Sequence, residues 1–187
     1  MSFPGIPSLD AAVMAFIQTH FHNTVTDTVF PIITSLGEAG IGWIVLSLVL
    51  LCFKKTRRTG GLVLIAMTVT LLFGELTLKN IICRLRPCNV FTDFPMLIAR
   101  PTSYSFPSGH TSSSFAAALI LTLRHKKVGW LAYIPAVLIA FSRIFLFVHY
   151  PTDVLAGIFL GTLAALLTYF AAKAIQKRQA EKRTAQI

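Results

Sequence analysis

The stretch PTDVLAGIFLGTLAALLTYFAA, residues 151–172, carries one charged side chain, Asp153, in 22 positions and stops at Lys173. A helix of that length rises about 33 Å, enough to cross the hydrocarbon of a bilayer. Pro151 suits its first turn, where the missing N–H costs nothing. Four further apolar segments read the same way: 33–53, 61–82, 108–123 and 128–148, the first interrupted by Glu38 and the third short. Pro107 is expected in the first turn of the third. Between Ser8 and His22, Leu9, Val13, Phe16, Ile17 and His20 recur at helical spacing among polar residues. That pattern predicts an amphipathic helix lying in the interface without crossing.

Composition agrees. The 187-residue chain is 55% hydrophobic and 13% charged, with a mean hydropathy of +0.70, too apolar for a soluble globule. The fold class is therefore all-α, an integral membrane bundle of about five transmembrane helices plus the N-terminal interfacial helix. No positive n-region opens the chain, so the N-terminus is expected to be retained. The expected unit is one membrane-embedded domain over 1–187, with its core at about 61–172 and a basic cytoplasmic tail at 173–187.

The net charge of +10 does not signal a nucleic-acid surface. Twelve of the 17 Lys and Arg residues fall at 54–58, 124–127 and 173–183, the polar junctions between apolar runs. With five crossings these junctions share one side, which the excess of positive charge makes the cytoplasm. The N-terminus, the long segment 83–106 and the Tyr150-Pro151 junction then face the other side. Glycines 60, 61 and 129 are expected to punctuate the inner loops. Cys52, Cys83 and Cys88 have no metal-ligand spacing, and free thiols are expected although a Cys83–Cys88 bridge is sterically open.

Polar side chains gather at the outer ends of these segments. Lys79 stands four residues after Glu75, an i to i+4 pair that holds an ammonium group in place, and Arg86-Pro87 follows. Pro107-Ser108-Gly109-His110 combines a helix N-terminus, a hydroxyl and a glycine that admits close backbone approach, the requirements of a phosphate oxygen. His149 and Asp153 are four apart, so that a carboxylate orients an imidazole. Arg143 lies about two turns before His149 if its helix persists, and its fork suits two phosphate oxygens. The competing readings are snorkelling for Lys79 and Arg86, ordinary capping for Ser108, and a buried Arg143–Asp153 ion pair.

Taken together, Lys79 with Arg86-Pro87, Pro107 to His110, and Ser142-Arg143 with His149 and Asp153 resemble the signature of the type 2 phosphatidic acid phosphatase superfamily, which includes membrane lipid phosphatases and the vanadium haloperoxidases. The resemblance implies that His149 is the nucleophile, Asp153 its orienting partner and His110 the proton donor to the leaving group. It implies further that Lys79, Arg86, Ser108, Gly109 and Arg143 bind the substrate phosphate with no metal and no cofactor. The larger, mostly soluble peroxidases fit this chain less well. A lipid phosphate in the bilayer is the implied substrate and partner, with the site on the extracytoplasmic face of the cell membrane. Undecaprenyl diphosphate leads, since Arg84 and Arg100 offer surplus charge for a second phosphate; phosphatidylglycerophosphate and phosphatidic acid are the alternatives. A non-catalytic lipid-binding or transport protein is the reading from another class, disfavoured by the expected lack of broken spans.

Overall fold

A computed structural model describes residues 3–184, which form helices and connecting turns with no strand among them. Helix α1 (Ser8–His20) is followed by α2 (Thr24–Leu36), which Asn23 starts: its side chain accepts from the amides of Val25 and Thr26 while Thr26 Oγ1 accepts from the Asn23 amide. A single 3₁₀ turn, Glu38–Gly40, separates α2 from α3 (Ile41–Cys52). Then come α4 (Arg57–Thr70), a π-helical segment Leu71–Leu78 and α5 (Lys79–Ile82), which form one rod. The short α6 (Pro87–Val90), α7 (Gly109–Arg124), α8 (Tyr133–Phe145) after a 3₁₀ turn, and α9 (Pro151–Thr184) complete the chain.

Helix α7 is the axis of the bundle, packed against α9, α4 and α8. Its sequence explains the role: Ser112, Ser114, Ala116, Ala117 and Ala118 are small and buried, so neighbouring backbones can come close. On α9, Gly157 and Gly161 supply the matching groove. A Cβ at Gly157 would lie 2.7 Å from the Ser108 carbonyl oxygen, and one at Gly161 would collide with the Ser112 carbonyl. Trp43 ties α3 to the same axis by donating to Ser114 Oγ at 2.8 Å.

The first span departs from expectation. It begins at Thr24 and breaks at Gly37–Gly40, where Ala39 and Gly40 have φ of 47° and 70° and the two halves meet at 45°. Of the two left-handed residues only Gly40 takes that conformation without a steric cost, while Ala39 adopts it with a Cβ. The case against transport that assumed unbroken spans therefore loses that support. Gly60 and Gly61 lie inside α4 and not in a loop; at Gly60 a Cβ would meet the Ser47 carbonyl at 2.5 Å, so the glycine serves close packing of α3 on α4. The segment expected at 128–148 ends as a helix at Phe145, and α7 starts at Gly109 with Ser108 as its cap, leaving Pro107 outside. Pro151 does open α9.

By length and composition, Arg57–Val90 and Pro151–Thr184 suffice to cross a membrane, and the bent pair Thr24–Leu36 with Glu38–Cys52 makes a third candidate if the two helices count as one span. Helix α7 has 16 residues, a rise of about 24 Å. Helix α1 turns Asp10, Met14, Ile17 and Gln18 inward, while Leu9 and Phe16 are more than half exposed. Its buried face is thus partly polar, and Gln18 donates to the Phe145 carbonyl at the end of α8.

Candidate active site

Five elements converge on one cavity of about 880 Å³. The start of α5 brings Lys79, the turn before α6 brings Arg86, the N-terminus of α7 brings Gly109 and His110, and the end of α8 brings Arg143. His149 arrives on the link from α8 to α9. That link folds back because Phe147 takes a positive φ of 59° and the amides of Val148 and His149 both donate to the Arg143 carbonyl, at 3.2 and 3.1 Å. A tight turn, and not a continued helix, sets Arg143 beside His149. Lys79, Arg86, Arg143 and His149 are each at most 5% exposed, so these charges are built into the protein and do not snorkel.

Arg86 occupies the centre. Its NH1 group lies 2.8 Å from His149 Nε2 and donates to the Val148 carbonyl, while Nε and NH2 donate to Ser103. A guanidinium has only donors, so Nε2 must accept and carry a lone pair. The proton of neutral His149 then sits on Nδ1, 3.4 Å from Ser105 Oγ and 3.5 Å from Asp153 Oδ2. Asp153 lies behind the imidazole, outside the cavity wall, where its Oδ2 accepts from Ser105 Oγ and from the Tyr150 amide.

Two cavity groups lack partners. Arg143 donates from NH1 to Thr34 Oγ1 at 2.6 Å, leaving its buried Nε unpaired, and His110 Nε2 also has none within hydrogen-bond distance. Glu38, at the break in the first span, comes nearest to His110 Nε2, at 3.5 Å. Lys79 Nζ contacts both carboxylate oxygens of Glu75 at 2.7 Å, as the spacing predicts. The same carboxylate lies where a Cβ on Gly109 would stand, so this glycine makes room for Glu75.

Several expectations are revised. Ser108 is fully buried away from the cavity; its hydroxyl accepts from Thr111 Oγ1 and its amide donates to the Asp153 carbonyl, so it joins α7 to α9. Arg143 does not pair with Asp153; Arg84 does, at 2.6 Å. Arg84 is thereby taken from the role of binding a second phosphate. Arg100 lines the cavity but spends its guanidinium on the carbonyls of Cys88, Thr92 and Phe94. Cys83 and Cys88 are free thiols. Thr34, Glu38, Ser103 and Ser105 went unnoticed in sequence as site residues, because isolated hydroxyls carry no spacing signal; only Glu38, a charge inside an apolar run, was visible as an oddity.

The cavity wall also carries the apolar side chains of Pro31, Ile44, Leu64, Met67, Leu71 and Ile98. Cations and histidines sharing a wall with apolar side chains suit an amphiphilic anion.

Comparison with known proteins identifies the family. The PAP2 superfamily model matches residues 59–177, and the chain belongs to that superfamily. Over 127 residues it is 38% identical to the undecaprenyl-diphosphatase of Sulfolobus acidocaldarius, a match covering 67% of this chain and 61% of that protein. It is 32% identical over 145 residues to the bacitracin transport permease protein BcrC of Bacillus licheniformis, covering 76% and 71%. With the undecaprenyl-diphosphatase BcrC of Bacillus subtilis the identity is 31% over 157 residues, covering 79% and 76%. Among solved structures, a transmembrane PAP2-type phosphatidylglycerolphosphate phosphatase of Bacillus subtilis superposes with a TM-score of 0.73 at 29% identity, covering 92% of this chain and 89% of that one.

Proposed function

We propose that the protein is an integral membrane lipid phosphatase that hydrolyses a lipid phosphate or diphosphate through a phosphohistidine on His149, without a metal. The observation that carries this reading is the geometry at His149 Nε2: a lone pair facing a cavity ringed by Lys79, Arg86 and Arg143, with His110 also on its wall. Incoming phosphorus takes the place that Arg86 NH1 holds at Nε2. Arg86, Lys79 and the unpaired Nε of Arg143 then turn to the equatorial oxygens, where charge accumulates in the transition state.

The chemistry balances in two displacements. The Nε2 lone pair forms the N–P bond as the P–O bond to the lipid breaks, and His110 gives its proton to the departing oxygen. Water next attacks phosphorus and yields a proton to His110. The N–P bond returns its electrons to Nε2, and inorganic phosphate leaves. His149 is cationic while phosphorylated, and Asp153 stabilises it.

Undecaprenyl diphosphate is the preferred substrate. This preference rests on the names of the Sulfolobus and Bacillus subtilis relatives, because the surplus arginines that argued for a second phosphate are engaged elsewhere. Phosphatidylglycerophosphate is the alternative, favoured by the structural neighbour. The apolar side chains of the cavity wall, among them the half-exposed Leu71, suit a tail that stays in the bilayer. With the three basic junctions on the cytoplasmic side, as their charge favours, the site faces the extracytoplasmic side.

The decisive experiment measures inorganic phosphate released by purified protein in detergent from undecaprenyl diphosphate, phosphatidylglycerophosphate and phosphatidic acid. Turnover that survives EDTA, stops with vanadate and disappears in His149→Ala is the expected result. No release from any of the three overturns the hydrolase reading and favours the transport function that the Bacillus licheniformis relative is named for.

A further inference from the structure

Asp10 is a fully buried carboxylate on a helix that contributes nothing to the cavity wall. A lone buried charge of this kind is costly unless paired and hydrogen-bonded. Asp10 is both. Its Oδ2 accepts from Arg84 NH2 at 2.7 Å and from Thr152 Oγ1 at 2.8 Å, and its Oδ1 accepts from the Thr152 amide at 2.9 Å. Arg84 lies over the Tyr150 ring, 3.8 Å from its centroid, and uses NH1 to reach Thr152 Oγ1 and Asp153 Oδ1 at 2.7 and 2.6 Å. One guanidinium therefore bridges two buried carboxylates.

We propose that Asp10 and Arg84 are positioning residues for Asp153, so that α1 is a working part of the catalytic apparatus. The inference rests on the phosphohistidine reading above. Its physical basis is charge. Arg84 paired with Asp153 alone would form a neutral couple, of little use to a cationic imidazole. With Asp10 sharing the arginine, the cluster of two carboxylates and one guanidinium keeps a net charge of −1. The fork also holds Asp153 Oδ1, while Ser105 and the Tyr150 amide hold Oδ2, fixing the carboxylate plane that faces His149 Nδ1. Asp10→Asn keeps the shape and removes the surplus negative charge.

The test combines turnover with vanadate binding, which follows the nucleophile's geometry even if the lipid substrate is misassigned. In folded Asp10→Asn, kcat should fall on the order of 10- to 100-fold with KM within about twofold, and vanadate affinity should weaken about tenfold. In an Asp153→Asn background the further Asp10→Asn change should cost less than about twofold. Unchanged kcat and vanadate affinity in the single variant, or a fully multiplicative loss in the double, overturns the proposal. Should Asp10→Asn fail to fold, Arg84→Lys replaces it: it keeps the charge, loses the two-armed bridge, and should lose kcat and vanadate affinity in the same direction. Wild-type protein that binds vanadate through His149 yet hydrolyses no lipid overturns the phosphatase reading and leaves the vanadate arm to decide on Asp10. Wild-type protein that binds no vanadate overturns both.

Discussion

At His149 the two ring nitrogens are distinguished by their neighbours: a donor at Nε2, and a carboxylate and a hydroxyl near Nδ1. That difference sets the tautomer, with the lone pair on Nε2. On the proposed mechanism Lys79→Ala and Arg143→Ala each remove a cation from the cavity wall while leaving His149 in place, so kcat in the phosphate-release assay should fall on the order of 10²- to 10³-fold with the protein still folded. Turnover near that of wild type would make either residue a structural cation only. Glu75 has the opposite sense. Its carboxylate neutralises Lys79 at 2.7 Å and competes with an incoming phosphate, so Glu75→Gln should bind inorganic phosphate about tenfold more tightly, read as a lower inhibition constant. These side chains were legible in sequence because charges are rare in apolar runs. Ser103, Ser105 and Thr34 were not, since a hydroxyl in a loop or helix is ordinary.

Helix α7 brings Gly109 and His110 to the cavity and α9 brings Asp153 behind His149, and the closeness of the two helices depends on two glycines. Gly157 and Gly161, four apart on an apolar helix, form a small-residue seam whose spacing is visible in the sequence. Gly161→Val sets side-chain atoms against the Ser112 carbonyl and within about 3 Å of the Ala116 amide, so it should lower thermal stability in detergent by about 1–3 kcal/mol. Loss of activity should accompany it, because Gly109 and His110 ride on the same end of α7. An unchanged melting temperature would mean that α9 shifts freely. The break at Gly37–Gly40 is another matter: Glu38 and Thr34 reach the cavity only because α2 and α3 meet at an angle.

For the whole molecule, orientation in the bilayer is the open property, and charge decides it. With the three basic junctions inside, a membrane-impermeant thiol reagent should label Thr92→Cys in intact cells and Thr56→Cys only after permeabilisation. Cys52 and Cys83 are exposed thiols and need replacement by Ser first, whereas Cys88 is buried. Reversed labelling would turn the site toward the inner leaflet. Hydrophobic content and the spacing of charges were enough to determine the helical class and the approximate rods and to single out the charged side chains that converge on one cavity, because hydrocarbon admits backbone only with its polar groups paired and tolerates charge only with a purpose. What required the tertiary structure was partnership. Arg84 and Arg143 are alike in sequence, both basic residues near a segment end; only the packed helices set the first against Asp153 and the second in the cavity wall beside Thr34. Contacts between residues more than 60 positions apart leave no periodic trace along a chain, so the identity of an ion pair is written only in three dimensions.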